Sequence, residues 1–244
     1  MRLRLILGAV GLFAVSLCGC ASLPGRPAPD EMPIVPSEIS DFSTLFEHNC
    51  AGCHGSEGKG GAAIALGDPV YLAIVDDAIL RGAATNGIPG TSMPAFAQSA
   101  GGMLTDKQID IIVRGVRERW SKPDVLRGAN PPPYSSSETS DASHGSAVYA
   151  AYCSSCHGAG GRGGQKAGSI VDGSFLALLT DQELRTLVIA GRPELGAPDW
   201  RGDVPGKEMS AQDVADVVAW LASQRPKFPG QPFPPSPKLL GAIR

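Results

Sequence analysis

The chain has 244 residues, 43% of them apolar, with 21 Lys plus Arg against 24 Asp plus Glu and a formal net charge of −3. That apolar share excludes a wholly disordered chain, and the length allows one large domain or two of ordinary size. A mildly acidic chain with no long basic run is a poor candidate for nucleic acid binding, and 31 Gly and 21 Pro gathered into runs point to tethers and loop-rich modules.

Residues 1–19 combine Arg2 and Arg4, an apolar core from Leu5 to Leu17 and small residues before Cys20, the pattern of an export signal. The stretch LCGC resembles the lipobox of bacterial lipoproteins, in which cleavage leaves the cysteine as a lipidated N-terminus; Cys20 is then the lipidation site. An ordinary cleaved signal or an uncleaved membrane helix is the competing reading, since the apolar stretch approaches the lower limit for spanning. Cleavage removes Arg2 and Arg4, leaving 19 basic against 24 acidic residues and a net charge of −5. Ala21 after Cys20, with no Asp there, resembles lipoproteins sent to the outer membrane.

Residues 20–40 hold five prolines without helical or alternating apolar pattern, which reads as an extended tether. Residues 41–121 form a first module, and 122–143, with ANPPPYSSSETSDAS, a linker with too little apolar area to offset the entropy of ordering it. A second module spans 144–226, and a proline-rich tail occupies 227–244.

The modules are copies. FEHNCAGCHGSEGKGG (46–61) matches YAAYCSSCHGAGGRGG (149–164) at an offset of 103, and LTDKQIDIIVRGV (104–116) matches MSAQDVADVVAWL (209–221) at 105. Ile109, Ile112, Val113 and Val116 fall at i, i+3, i+4 and i+7, as do Val214, Val217, Val218 and Leu221, so each module ends in a helix with one apolar face. Thr105-x-x-Gln108 and Ser210-x-x-Asp213 are capping-box patterns at the helix starts. Weaker helices are expected around Asp76 to Arg81 and Asp181 to Ala190, and no run alternates as a strand would.

Cys50-Ala-Gly-Cys53-His54 and Cys153-Ser-Ser-Cys156-His157 are C-x-x-C-H sequences, the attachment signature of a c-type haem. Two thiols three apart at a helix start can reach one porphyrin edge while the next residue aims its imidazole at the iron. A thioredoxin-like reading lacks its βαβ setting, a zinc site lacks four ligands per half, and a disulfide leaves the paired histidines unexplained. Two covalently bound haem c groups are therefore the expected cofactors.

Helix, CxxCHG, Gly-rich loop, GTSMPAF and LTDKQIDIIV in succession resemble a class I cytochrome c domain, over 41–121 and again over 144–226. The resemblance implies an all-α fold of two tandem cytochrome c-like domains, each a few short helices wrapped around one haem. It implies His54 and Met93 as the iron ligands of the first domain and His157 as the proximal ligand of the second. There the pattern breaks, because ELGAPDW (194–200) aligns Ala197 with Met93.

Met209, the last methionine of the second module, is either a displaced ligand or a hydrophobic staple paired with Val214, as Leu104 pairs with Ile109. His48 and His144 are other donors, each close in sequence to its own CxxCH helix and better read as solvated or capping. The resemblance implies a carrier of single electrons, tethered through an N-terminal lipid on the periplasmic side and exchanging electrons with redox proteins of a respiratory chain. Two alternatives stand beside it: a peroxidase-like enzyme or small-ligand sensor using an open sixth position on the second haem, and a fixed haem subunit of a larger respiratory complex.

Overall fold

The computed structural model describes residues 34–202 and 206–226. The export signal, Cys20, most of the tether and the C-terminal tail lie outside the described residues. The chain divides into Met1–Ile39 and Ser40–Arg244. The first unit contributes one described element, a 3-10 turn at Pro36–Glu38 started by proline, where the sequence reading had only extended chain.

The described part of the second unit is all-α apart from two isolated β-bridges. Its first half contains α1 (Phe42–Asn49), α2 (Ala51–His54), α3 (Pro69–Ile74), α4 (Asp77–Asn86) and α5 (Asp106–Trp120). Its second half repeats them as α6 (Ala142–Tyr152), α7 (Ser154–His157), α8 (Gly173–Ala177), α9 (Asp181–Ala190) and α10 (Ala211–Ser223). No described helix is long and apolar enough to cross a membrane.

The helix starts are chemically specified. The capping boxes expected at Thr105–Gln108 and Ser210–Asp213 both form, and a third, Thr180–Glu183, starts α9. Asp41, Asp68, Asp76, Asp141 and Asp172 cap α1, α3, α4, α6 and α8, each accepting a first-turn N–H. The four residues of the periodic face of α5 are buried, and so are those of α10.

In each half the last helix crosses the first, and glycine lets them approach. A methyl group on Gly115 of α5 would overlap the Phe42 ring of α1. In the second half the glycine has changed helix: a methyl on Gly145 of α6 would overlap the Asp216 carbonyl of α10 and crowd Trp220. At the repeat offsets, Phe42 and Gly115 correspond to Gly145 and Trp220, so the large and small partners have exchanged sides. Aromatic rings fill both crossings: Trp120 meets Phe46 edge-on at 5.0 Å, and Trp220 stacks on Tyr149 at 4.4 Å.

The linker differs from expectation. Pro132 is buried, and the Pro133 and Tyr134 carbonyls accept hydrogen bonds from Arg185 (2.8 and 3.1 Å), whose side chain is 3% exposed, while Gln182 donates to Tyr134 at 2.8 Å. This stretch is fastened by donors to its main chain, which a count of its apolar residues does not register. Beside it, α9 of the second half packs on α3 of the first, so the halves are in contact and not merely strung together.

Candidate haem sites

Cys50 and Cys153 occupy the N-cap positions of the one-turn helices α2 and α7, which put Cys53 and His54, and Cys156 and His157, on the following turn. None of these four cysteines is paired in a disulfide. Burial, reinforced by the neighbouring Cys53, pushes the Cys50 thiol up to about 12, and burial with Cys156 pushes Cys153 up to about 11.

His54 is buried, and its Nδ1 lies 2.7 Å from the Ile64 carbonyl oxygen. A carbonyl can only accept, so Nδ1 carries the proton and Nε2 the lone pair. That Nε2 is buried without a hydrogen-bond partner. An imidazole with one nitrogen fixed by a backbone carbonyl and the other free is how a metal-ligating histidine is held. Burial also lowers the pKa of His54 despite the Ile64 bond, which favours the neutral ring a metal needs. These residues thus fit a haem that Cys50 and Cys53 would attach and whose iron His54 would bind. His157 repeats the arrangement, half-buried, with Nδ1 2.9 Å from the Gly168 carbonyl. Sequence reasoning named both histidines and missed the two carbonyls, which sit in glycine-rich loops of no distinctive pattern.

The distal-side loops can be compared bond by bond. The helices α4 and α9 end at Gly87 and Gly191, with φ of 69° and 70°, a conformation costly for other residues. A side chain at either glycine would also run into the backbone of the loop that follows. Ile88 N–H then donates to the Met93 carbonyl at 3.1 Å, and Arg192 N–H to the Ala197 carbonyl at 3.0 Å. Ala197 therefore takes the backbone place of Met93, and the loop has kept its fold without the thioether. Met93 itself is half-buried, with its N–H 3.1 Å from Thr91 Oγ1.

Met209 has a different counterpart. Its N–H donates to the Trp200 carbonyl at 2.9 Å, as Leu104 N–H donates to the Phe96 carbonyl at 2.8 Å. Met209 is 7% exposed and Leu104 6%, beside fully buried Val214 and Ile109. Backbone pairing and burial both put Met209 in the staple position. The remaining histidines are placed apart from these loops: His48 is exposed on α1, and His144 Nδ1 is 2.7 Å from the buried Asp216 carboxylate. No group of three or more His, Cys, Asp or Glu among the described residues could hold a further metal ion.

A search of curated proteins finds no significant match. A family model described as cytochrome c oxidase, cbb3-type, subunit III, matches residues 37–114 and again 140–221, the two halves that carry the CxxCH helices. The chain belongs to that family, as a tandem of two class I c-type cytochrome domains that carry electrons on covalently held haem.

Proposed function

We propose that the protein is a dihaem relay tethered through lipidated Cys20 to a bacterial membrane, facing the periplasm, and that its two haems are not equivalent. When bound, each haem supplies reversible one-electron chemistry. In the first domain His54 and the Met93 thioether would hold the haem iron between them, a ligand pair that would raise its potential and leave no open place for substrate. In the second, His157 would supply one nitrogen to the iron, and Ala197 has no donor atom in its side chain to add. The observation that carries this reading is the shared backbone bond of Met93 and Ala197, which makes the loss of the thioether a change of ligand and not of fold. Redox proteins of a respiratory chain are the partners, and the exported, lipid-anchored location follows from the signal pattern of residues 1–20.

Ferric and ferrous spectra of the purified, haem-loaded protein test the reading. One low-spin haem with Met-to-iron absorption and one that binds carbon monoxide when reduced is the expected result. Two low-spin haems, both indifferent to carbon monoxide, would overturn the inequality and return Met209 to the ligand set. A second reading is favoured by the family description, which names a subunit of an oxidase: the chain is then a fixed subunit of a larger complex. Copurification with integral membrane partners at native expression separates it from a free carrier. A small-ligand enzyme or sensor rests on Ala197 alone, and it requires that the reduced second haem bind carbon monoxide.

A further inference from the structure

We propose that Arg192 is a positioning residue that pins the distal-side loop of the second haem domain onto the attachment loop of the first, and that this contact governs electron exchange between the two haems. The proposal rests on the reading that both domains carry electrons. Arg192 Nε donates to Glu194 Oε1 at 2.6 Å, and Nη2 donates across the domain boundary to the Gly61 carbonyl at 3.0 Å. Both side chains of the pair are 16% exposed, so the contact is largely closed to water. On one side Arg192 is joined to Ala197 by backbone bonds in both directions, each 3.0 Å. On the other, Gly61 begins a four-residue segment in which Ala63 N–H donates to the Cys53 carbonyl at 3.0 Å and Ile64 oxygen fixes His54 Nδ1. Gly61 lies so close to the Cys53 carbonyl that a side chain there would overlap it. A short chain of bonds therefore runs from Ala197 through Arg192 to Cys53 and His54 of the first haem site.

The charges around it belong to the contact and not to the repeat. Ile88 and Gly90 stand in the first domain where Arg192 and Glu194 stand in the second. Arg201 joins Asp199 through Nε at 3.0 Å and reaches the Val125 carbonyl at 3.1 Å, beyond the end of α5. Asp68, 5% exposed at the start of α3, is pushed up first by burial and then by Glu194 and Asp199, which places acids of both domains at one spot. A loop that only had to cover its own haem gains nothing from this cluster. A loop that must dock on a second domain gains orientation from it.

The test uses the full chain with both haems attached. Substoichiometric electrons are delivered by a laser-excited flavin, and their redistribution between the spectrally distinct haems is followed. In parallel, amide hydrogen exchange is measured over residues 61–64 and 192–197. Arg192→Ala should slow redistribution about tenfold or more, as small misplacements of reacting centres do. It should deprotect both segments together while leaving the static spectra of the haems unchanged. Arg192→Lys, which keeps one donor but loses the fork, should fall between, and serves if the alanine variant does not fold. Wild-type redistribution rates in either variant, or unaltered exchange at 61–64, overturn the proposal. A wild-type protein whose haems take up no electrons from the flavin overturns the underlying carrier reading instead.

Discussion

The two domains solve the same packing problems with residues from different positions along, or just past, their last helix. Arg117 of α5 joins Asp77 and the Leu72 and Val75 carbonyls, tying α3 and α4 to it. In the second domain the matching acceptors, Asp181 and the Leu176 and Leu179 carbonyls, are all met by Arg225, which lies at the repeat position of Trp120. The tryptophans move the other way: Trp120 lies against Gly58, while Trp220 approaches the equivalent Gly161, behind Val171 and Ile170, from the position of Gly115. What persists between the copies is the place of a function in space, and the sequence position that supplies it drifts along the chain. Met93 and Ala197 are the instructive exception. Their positions persist, and one of them lacks the thioether.

Exchanging those two residues tests this most severely. Met93→Ala should convert the first haem into a likeness of the second, with loss of Met-to-iron absorption and new carbon monoxide binding. Its reduction potential should fall by on the order of a tenth of a volt or more, within the ~0.8 V over which axial ligands tune haem. Ala197→Met should do the reverse in the second domain, since the loop already has the backbone of the first. If Ala197→Met leaves carbon monoxide binding intact, the loops differ by more than one side chain, and their equivalence fails.

The exchanged glycines come next. Gly145→Ala sets a methyl group against the Asp216 main chain, which cannot move without separating α6 from α10. Overpacking of this kind costs about 1–3 kcal/mol, occasionally more. Gly115→Ala meets the Phe42 side chain first; both glycines lie inside helices, so the roughly 1 kcal/mol of regained helix propensity is common to the two, and an obstacle of side chain in place of main chain should make Gly115→Ala cost less. Thermal unfolding of the two variants ranks them, and the opposite order would show that the ring at the first crossing is the more rigid obstacle.

The parts of this molecule legible in the sequence are those specified locally. CxxCH, the capping boxes and the periodic faces of α5 and α10 each need only a few neighbouring residues to be recognised. Thr180-x-x-Glu183 was equally legible, and it extends the same rule to α9. The place of Ala197 could be read by alignment because glycines fix where both loops begin. The docked linker could not, because Arg185 and Gln182 bind its carbonyl groups, which every residue possesses. Nor could the Gly61 contact of Arg192, which spans 131 residues between a side chain and a glycine carbonyl.

Smaller in effect is Met209→Leu. If Met209 is the staple that its pairing and burial indicate, the change conserves volume and should cost less than about 1.5 kcal/mol. The spectrum of the second haem should not change. A shift in that spectrum would make the residue a ligand, and the two domains would be more alike than Ala197 implies.

The least effect, and the one most specific to a single domain, concerns pH. His144 pairs with Asp216 in the second domain only, because Ile111 holds the place of Asp216 in the first. The hydrogen bond to Asp216 raises the His144 pKa above 6.5, helped by the charges of Asp216, Asp213 and Asp141. Burial pushes the Asp216 carboxyl up, but bonds from Asp141 N–H, His144 and Gln212 outweigh it and leave it below 3.8. The histidine's contribution to stability is therefore complete below pH 6.5 and lost as pH rises through its folded value. The carboxylate's is complete above pH 3.8 and lost as pH falls through its own. His144→Gln should accordingly lower the melting temperature of the second domain at pH 5.5 more than at pH 8.5, and leave the first domain unchanged. Equal losses at both pH values would mean that His144 acts there as an uncharged hydrogen-bond donor, and not as a cation.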